Sequence, residues 1–192
     1  VGDLVDAFYF NPAQFGDIEQ TPQQIEYARS MIQYLADYNK LLAVWTGNHD
    51  FWIAKMGFDP YTYLLEGIDC YYFHGQAQLD FSCGDETYTT VGNHMNKGNS
   101  IYNNTHPQNR AVRFGGAFGA DVVFSGHWHQ KGISQQAFTG IDGTHLTTMI
   151  ALGTYKSTDE YIRTYGFQNR TPLEMYGASV VFDNVRHSVV PY

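Results

Sequence analysis

The stretch LLAVWTGNHD, Leu41–Asp50, joins a run of apolar residues to a short polar segment. The continuous apolar run Leu41–Trp45 is typical of a strand that is buried on both faces, as in a parallel sheet. A glycine opens the polar segment Gly47–Asp50, where it permits a sharp turn and close approach of the backbone. Because ligands of open α/β sheets bind at the carboxyl ends of strands, the segment predicts a functional site.

Two other predicted strand ends carry the same kind of residues. The apolar run Asp121–Ser125 is followed by Gly126-His127-Trp128-His129, and the chain opens on Val1–Asp3, which has the pattern of a strand end. Asp, Asn and His supply oxygen and imidazole donors that suit Mn, Fe, Zn or Ni. Three such strand ends predict a metal centre at the edge of a sheet.

Helices are expected early in the chain. Thr21, Pro22 and Gln24 form a helix start, and Asn39 and Lys40 end the helix. Apolar residues at helical spacing predict its inward face: Ile25, Ala28, Met31, Ile32 and Leu35. A shorter helix is predicted up to Leu65, and another over 109–118 with Ala111, Val112 and Phe114 inward.

Strands dominate the later part of the chain. They are predicted over 68–73, as a hairpin of 76–82 with 86–91, in HLTTMIALG, and as a second hairpin in ASVVFDNVRHSVV that turns at Asp183. Helices and strands in this order predict a mixed α/β fold with a sheet sandwich. The length of 192 residues fits one domain, residues 1–192.

Composition excludes several classes of protein. The chain is 43% hydrophobic, which is typical of a globular protein, and its net charge of −8 disfavours bulk nucleic acid and anionic membranes as partners. No apolar run reaches the roughly 18 residues of a membrane span. Only two cysteines are present, Cys70 and Cys83. They favour free thiols in a reducing compartment, so we expect a cytoplasmic location.

Four motifs follow one another in a recognisable order: GDLVD at Gly2–Asp6, GNHD at Gly47–Asp50, His94 in a Gly/Asn-rich loop, and GHWH at Gly126–His129. This set resembles the calcineurin-like metallophosphoesterase superfamily over nearly the full chain, and the later stretch 153–183 is similar to its phage and bacterial members. GNHD alone is moderately specific and GHxH alone is weak, but the ordered set is a strong signal. The resemblance implies a four-layer α-β-β-α sandwich and hydrolysis of a phosphate ester at a dinuclear metal centre.

The resemblance also implies the metal ligands. Asp3 resembles the carboxylate that bridges both ions, Asn48, His94 and His127 resemble ligands of the second ion, and His129 resembles a ligand of the first. Two divalent ions are implied, with Mn favoured over Fe, Zn and Ni. The family begins with D-x-H, and no Asp in this chain has a His two residues on. The first metal site is therefore expected to be incomplete, and we expect an N-terminally truncated domain that lacks its first strand.

The remaining candidate residues are expected to lie around the metal ligands. His49 resembles the non-ligand histidine that stabilises the transition state and protonates the leaving oxygen, and Asp50 accompanies it as a catalytic candidate that orients its neighbours. Asp6 either shares that orienting role or caps the next turn. Lys97 and Asn99 are candidates for contact with a substrate phosphate.

Some alternatives remain open at this point. His74 also follows an apolar run and rivals His94 as the ligand, while His145 and His187 are expected to be structural or exposed. The substrate is expected to be a small phosphomonoester or phosphodiester. The alternative is a scaffold of the same fold with weak or absent catalysis, and a third possibility is an end- or single-strand-directed nuclease.

Overall fold

The computed structural model describes residues 1–5, 21–55, 57–155 and 177–192 and shows a mixed α/β protein, which confirms the predicted class. The chain divides into two compact units; of the described residues, those up to His74 belong to the first unit and those from Gly75 onward to the second. Asp6 and most of the stretch 153–183 lie outside the described residues. None of the described helices has the length and apolar composition needed to cross a bilayer.

The first unit packs helices around a small parallel sheet. Its elements are α1 (Thr21–Asp37), β1 (Ala43–Trp45), α2 (Asn48–Ala54), α3 (Pro60–Leu64) and β2 (Tyr71–Phe73). Strands β1 and β2 pair in parallel, with Ala43 opposite Tyr71. The buried core combines Val5, near the start of the chain, with residues of the helices and of β1: Ala28, Ile32, Val44, Ile53, Tyr61 and Leu64.

The second unit is built on a five-stranded sheet. Its elements are β3 (Ala77–Cys83), β4 (Glu86–Asn93), α4 (His106–Phe114), β5 (Val122–Ser125), β6 (Gly132–Gly140), β7 (Gly143–Ala151), β8 (Val180–Phe182) and β9 (Val189–Pro191). The strand order is β3-β4-β5-β7-β6. The β4–β5 and β5–β7 pairs are parallel, and the two outer pairs are antiparallel. Strands β8 and β9 form a separate antiparallel pair.

The helices differ from expectation in three respects, the first being that α4 spans His106–Phe114 where a helix over 109–118 was predicted. The single helix predicted up to Leu65 is wrong, because the structure has α2 and α3 there. Gly57 adopts a left-handed φ of 89°, and Pro60, which has no amide hydrogen to continue a helix, starts α3 behind the N-cap Asp59. The predicted inward faces are also partly wrong, since Met31 is 49% exposed and Phe114 is 77% exposed.

The strands agree better, but one strand was missed and Val1–Asp3, which has the pattern of a strand end, does not lie in a strand. The predicted strands at β1, β2, β5, β7 and the two hairpins are present, although β1 begins only at Ala43 and β2 at Tyr71. Strand β6 was not predicted. It lies at the edge of the five-stranded sheet and contains Ser134, Gln135 and Gln136 in succession, so it lacks the apolar alternation that reveals a strand in sequence.

His187 lies between two carboxylates of the second unit. Its Nε2 is 2.7 Å from Oδ1 of Asp121, its Nδ1 is 3.1 Å from Oε2 of Glu86, and its ring stacks on Tyr88 with the centroids 4.6 Å apart. The hydrogen bond to Asp121 raises the pKa of His187 against the opposing effect of burial, and Glu86 raises it further. The His187 side chain therefore joins the segment between β8 and β9 to the main sheet.

This arrangement predicts a pH-dependent stability. The contribution of His187 is fully present below the unfolded-state pKa of 6.5 and is lost as the pH rises through the higher folded-state pKa. Because the side chain is 48% exposed, we expect a fall of less than about 1 kcal/mol in the free energy of unfolding. Urea unfolding should be measured from below pH 6.5 to above the folded-state pKa of His187. The free energy of unfolding should fall with rising pH in the wild type and in His145→Gln, and this fall should be absent in His187→Gln. An unchanged pH profile for His187→Gln would contradict the assignment.

Candidate metal centre

Two candidate ligands follow neighbouring parallel strands of the second unit. His94 comes directly after β4, and His127 comes two residues after β5. In the parallel register, Asn93 lies opposite Ser125, and the amide of Gly126 then donates a hydrogen bond to the carbonyl of His94 at 3.0 Å. The pairing of the strands therefore brings both residues to the carboxyl-terminal edge of these strands.

The two rings have a separation that suits a shared ion. Nδ1 of His127 is 3.3 Å from Nε2 of His94, and the ring planes meet at 80°. Two imidazole nitrogens that bind one ion at about 2.1 Å with a tetrahedral angle lie about 3.4 Å apart. His94 is only 6% exposed, so an ion between these nitrogens would be partly shielded from solvent. The pair thus fits two ligands of one divalent metal.

Left-handed backbone conformations occur at three candidate ligands. Among the described non-glycine residues, φ is positive at Asp3 (47°), Asn39 (53°), His127 (70°) and His129 (56°). The positive φ of Asn39 is explained by its position just after α1, where its amide donates a hydrogen bond to the carbonyl of Ala36. The other three are all predicted metal ligands. Unfavourable conformations of this kind cluster at functional sites, which supports a functional assignment for these residues.

In the first unit, Asp3 lies against the turn that follows β1. The amide of Gly2 donates to the carbonyl of Trp45 at 2.7 Å, and the amide of His49 donates to Oδ1 of Asp3 at 2.9 Å. A Cβ atom built on Gly47 would overlap both the backbone nitrogen and Oδ1 of Asp3. The absence of a side chain at position 47 is therefore what allows the Asp3 carboxylate to sit beside the start of α2.

Asp50 is a buried anchor of this turn. It is 1% exposed, and its carboxylate accepts three hydrogen bonds: Oδ1 from the amide of Val5 at 3.1 Å, and Oδ2 from the amide of Gly47 at 2.9 Å and from the hydroxyl of Tyr61 at 2.7 Å. A carboxylate so enclosed holds backbone in place and does not reach a substrate. These contacts fix the backbone of the turn, and a role of Asp50 in orienting catalytic neighbours stays a prediction.

Asn48 and His49 open α2 and are both half-buried. The His49 ring stacks on Trp52, with the centroids 4.3 Å apart and the planes at 23°. Since Trp52 is three residues further along the same helix, the two side chains share one face. The amide of His49 is thus held by Asp3, and the imidazole of His49 is oriented by the indole of Trp52.

The other candidate residues are exposed side chains. His74, the rival of His94, is exposed, and its ring lies edge-on to Tyr72. Lys97 and Asn99 are exposed, and Oδ1 of Asn99 accepts the adjacent amide of Ser100 at 2.8 Å.

The predicted site residues are divided between the two units. The first unit contains Asp3, Asn48, His49 and Asp50, and the second contains His94, His127 and His129. Sequence reasoning missed Trp52 and Tyr61. The spacing of three residues within a predicted helix could have revealed Trp52, whereas no sequence signal connects Tyr61 with Asp50.

Comparison with known proteins adds no assignment, because the chain matches no protein-family model and is not significantly similar to any curated protein.

Proposed function

We propose that this chain is a metal-dependent phosphoesterase that hydrolyses a small phosphomonoester or phosphodiester. The observation that carries the proposal is the His94–His127 pair, whose ring nitrogens are 3.3 Å apart at the ends of neighbouring parallel strands. That separation supports a divalent metal. The choice of phosphate ester rests on the ordered motifs and their resemblance to the calcineurin-like superfamily.

The proposed ligand set combines imidazole, amide and carboxylate donors. We propose His94 and His127 as ligands of one ion, and the resemblance implies Asp3, Asn48 and His129 as the further ligands of a dinuclear centre. This set suits Mn, Fe, Zn or Ni, and we propose Mn. Divalent ions would neutralise the phosphate charge and lower the pKa of a water molecule that attacks the ester.

His49 is the proposed general acid. Its ring stacks on Trp52, and its amide donates to Oδ1 of Asp3. We propose that the imidazole donates a hydrogen bond and then a proton to the leaving oxygen. Asp50 and Gly47 fix the turn that carries it.

The proposal extends to the architecture and the partners. We propose that the mixed α/β chain forms the α-β-β-α sandwich of the superfamily, as a single metallophosphoesterase domain. The net charge of −8 favours a small phosphate ester over bulk nucleic acid, because bound cations can offset the charge of one phosphate group locally.

Replacing His49 with alanine tests the proposal. We expect turnover of bis(4-nitrophenyl) phosphate or 4-nitrophenyl phosphate in Mn²⁺ to fall at least about 100-fold, since general acid catalysis contributes that much or more. Metal content, measured by elemental analysis, should remain that of the wild type. His145→Ala, on strand β7, is the control and should retain full activity.

Two results would contradict the proposal. Wild-type turnover in His49→Ala would remove His49 from the mechanism. A wild-type chain that binds Mn²⁺ but hydrolyses neither ester, or that binds none, would favour the scaffold alternative.

A further inference from the structure

Tyr61 is a buried tyrosine that directs its hydroxyl at the Asp50 carboxylate. It lies in α3 and is 2% exposed, with its Oη 2.7 Å from Oδ2 of Asp50. Its backbone amide bonds to the N-cap Asp59 at 3.0 Å, and its ring stacks on Tyr72 with the centroids 4.9 Å apart. A hydrogen bond therefore holds the backbone of Tyr61, and aromatic stacking orients its ring.

The hydroxyl remains a donor at all ordinary pH values. Burial, and then the negative charge of Asp50, raise the pKa of Tyr61 far above its usual range. A buried carboxylate needs hydrogen bonds that offset the free-energy cost of removing its charge from water. Asp50 obtains two from the backbone, at Val5 and Gly47, and Tyr61 supplies the third.

We infer that Tyr61 is a positioning residue for the candidate site and acts through Asp50. By fixing the Asp50 carboxylate, it holds the amide of Gly47 at one oxygen and the amide of Val5 at the other. These two amides flank the place where Asp3 meets the turn before α2. Tyr61 thereby sets the approach of Asp3 to this turn from a helix that contributes no ligand. The inference rests on the proposed function for its effect on turnover.

Tyr61→Phe removes this hydroxyl and keeps the ring. We expect the dissociation constant for Mn²⁺ alone to rise about tenfold and kcat on bis(4-nitrophenyl) phosphate to fall about tenfold, the effect typical of outer-shell partners of a metal site. Amide hydrogen exchange at Gly47 and Val5, followed by NMR in the intact chain, should become faster.

Tyr63→Phe is the matched control. Tyr63 lies two residues away, and its hydroxyl also bonds a carboxylate, that of Glu26, at 2.8 Å. This variant should match the wild type in Mn²⁺ affinity, kcat and exchange at Gly47. If Tyr61 acts through Asp50, then adding Tyr61→Phe to Asp50→Asn should cause little further change in either metal affinity or kcat.

The outcomes separate the inference from the proposed function. Absence of hydrolysis by the wild type would defeat the proposed function alone, because exchange at Gly47 and Val5 still reports on Tyr61. The inference is overturned if Tyr61→Phe matches Tyr63→Phe in amide exchange and in Mn²⁺ affinity, or if its effect is undiminished in the Asp50→Asn background.

Discussion

His94→Ala is expected to reduce phosphodiester turnover at least about 100-fold, because loss of a ligand should exceed the 10- to 100-fold effect of losing an outer-shell partner. The physical reason is the 3.3 Å separation of its Nε2 from Nδ1 of His127. With alanine at 94, His127 loses the partner imidazole that would share its ion. Mn²⁺ binding, followed by elemental analysis and titration, should weaken in parallel with turnover.

His74→Ala is the decisive companion to this variant. His74 was the rival ligand in the sequence, and it is exposed beside Tyr72. We expect it to leave Mn²⁺ affinity and turnover unchanged. If the two variants exchanged these behaviours, the ligand assignment would have to move from His94 to His74.

Gly47→Ala is expected to disable the site through sterics alone. The added methyl group would overlap the backbone nitrogen and Oδ1 of Asp3, so either the turn or the segment carrying Asp3 has to move. Forced overpacking of this kind costs about 1–3 kcal/mol of folding free energy. Because Asp3 is the proposed bridging ligand, we also expect loss of Mn²⁺ binding and of measurable turnover.

A second glycine provides the control for this substitution. Gly75 has no atom within 4 Å of the position where its Cβ would be placed. Gly75→Ala should therefore have the Mn²⁺ affinity and turnover of the wild type, and its free energy of unfolding in urea should agree with that of the wild type within about 0.5 kcal/mol, as expected for a surface substitution. A Gly47→Ala protein that bound Mn²⁺ and turned over normally would show that the close approach of Asp3 is not required.

Short-range patterns in the sequence predicted the strands that position the candidate site. The apolar runs before Gly47 and Gly126 contain β1 and β5, and their short length and flanking glycines favour a buried strand over a helix. The parallel pairing of β4 with β5 then brings together His94 and His127, two residues that the sequence had named separately.

Features that depend on contacts between residues far apart in the sequence could not be predicted from sequence patterns. The polar edge strand β6 is identified only by its pairing with β7. Met31 has the helical spacing of a core residue, yet it is half exposed, because spacing defines a face of the helix and not how far the neighbouring elements cover it. The bond between Tyr61 and Asp50 joins two helices through side chains, and no periodicity encodes such a contact.

The left-handed conformations of Asp3, His127 and His129 have a consequence for protein engineering. Glycine adopts this conformation without the steric penalty that other residues incur, so a search for higher melting temperature would favour glycine at these positions. Each such substitution would erase a candidate ligand. Thermal stability and the proposed metal binding are therefore opposing design objectives at the same three positions. A library selected only for a higher melting temperature would accumulate glycine there and lose the candidate ligands.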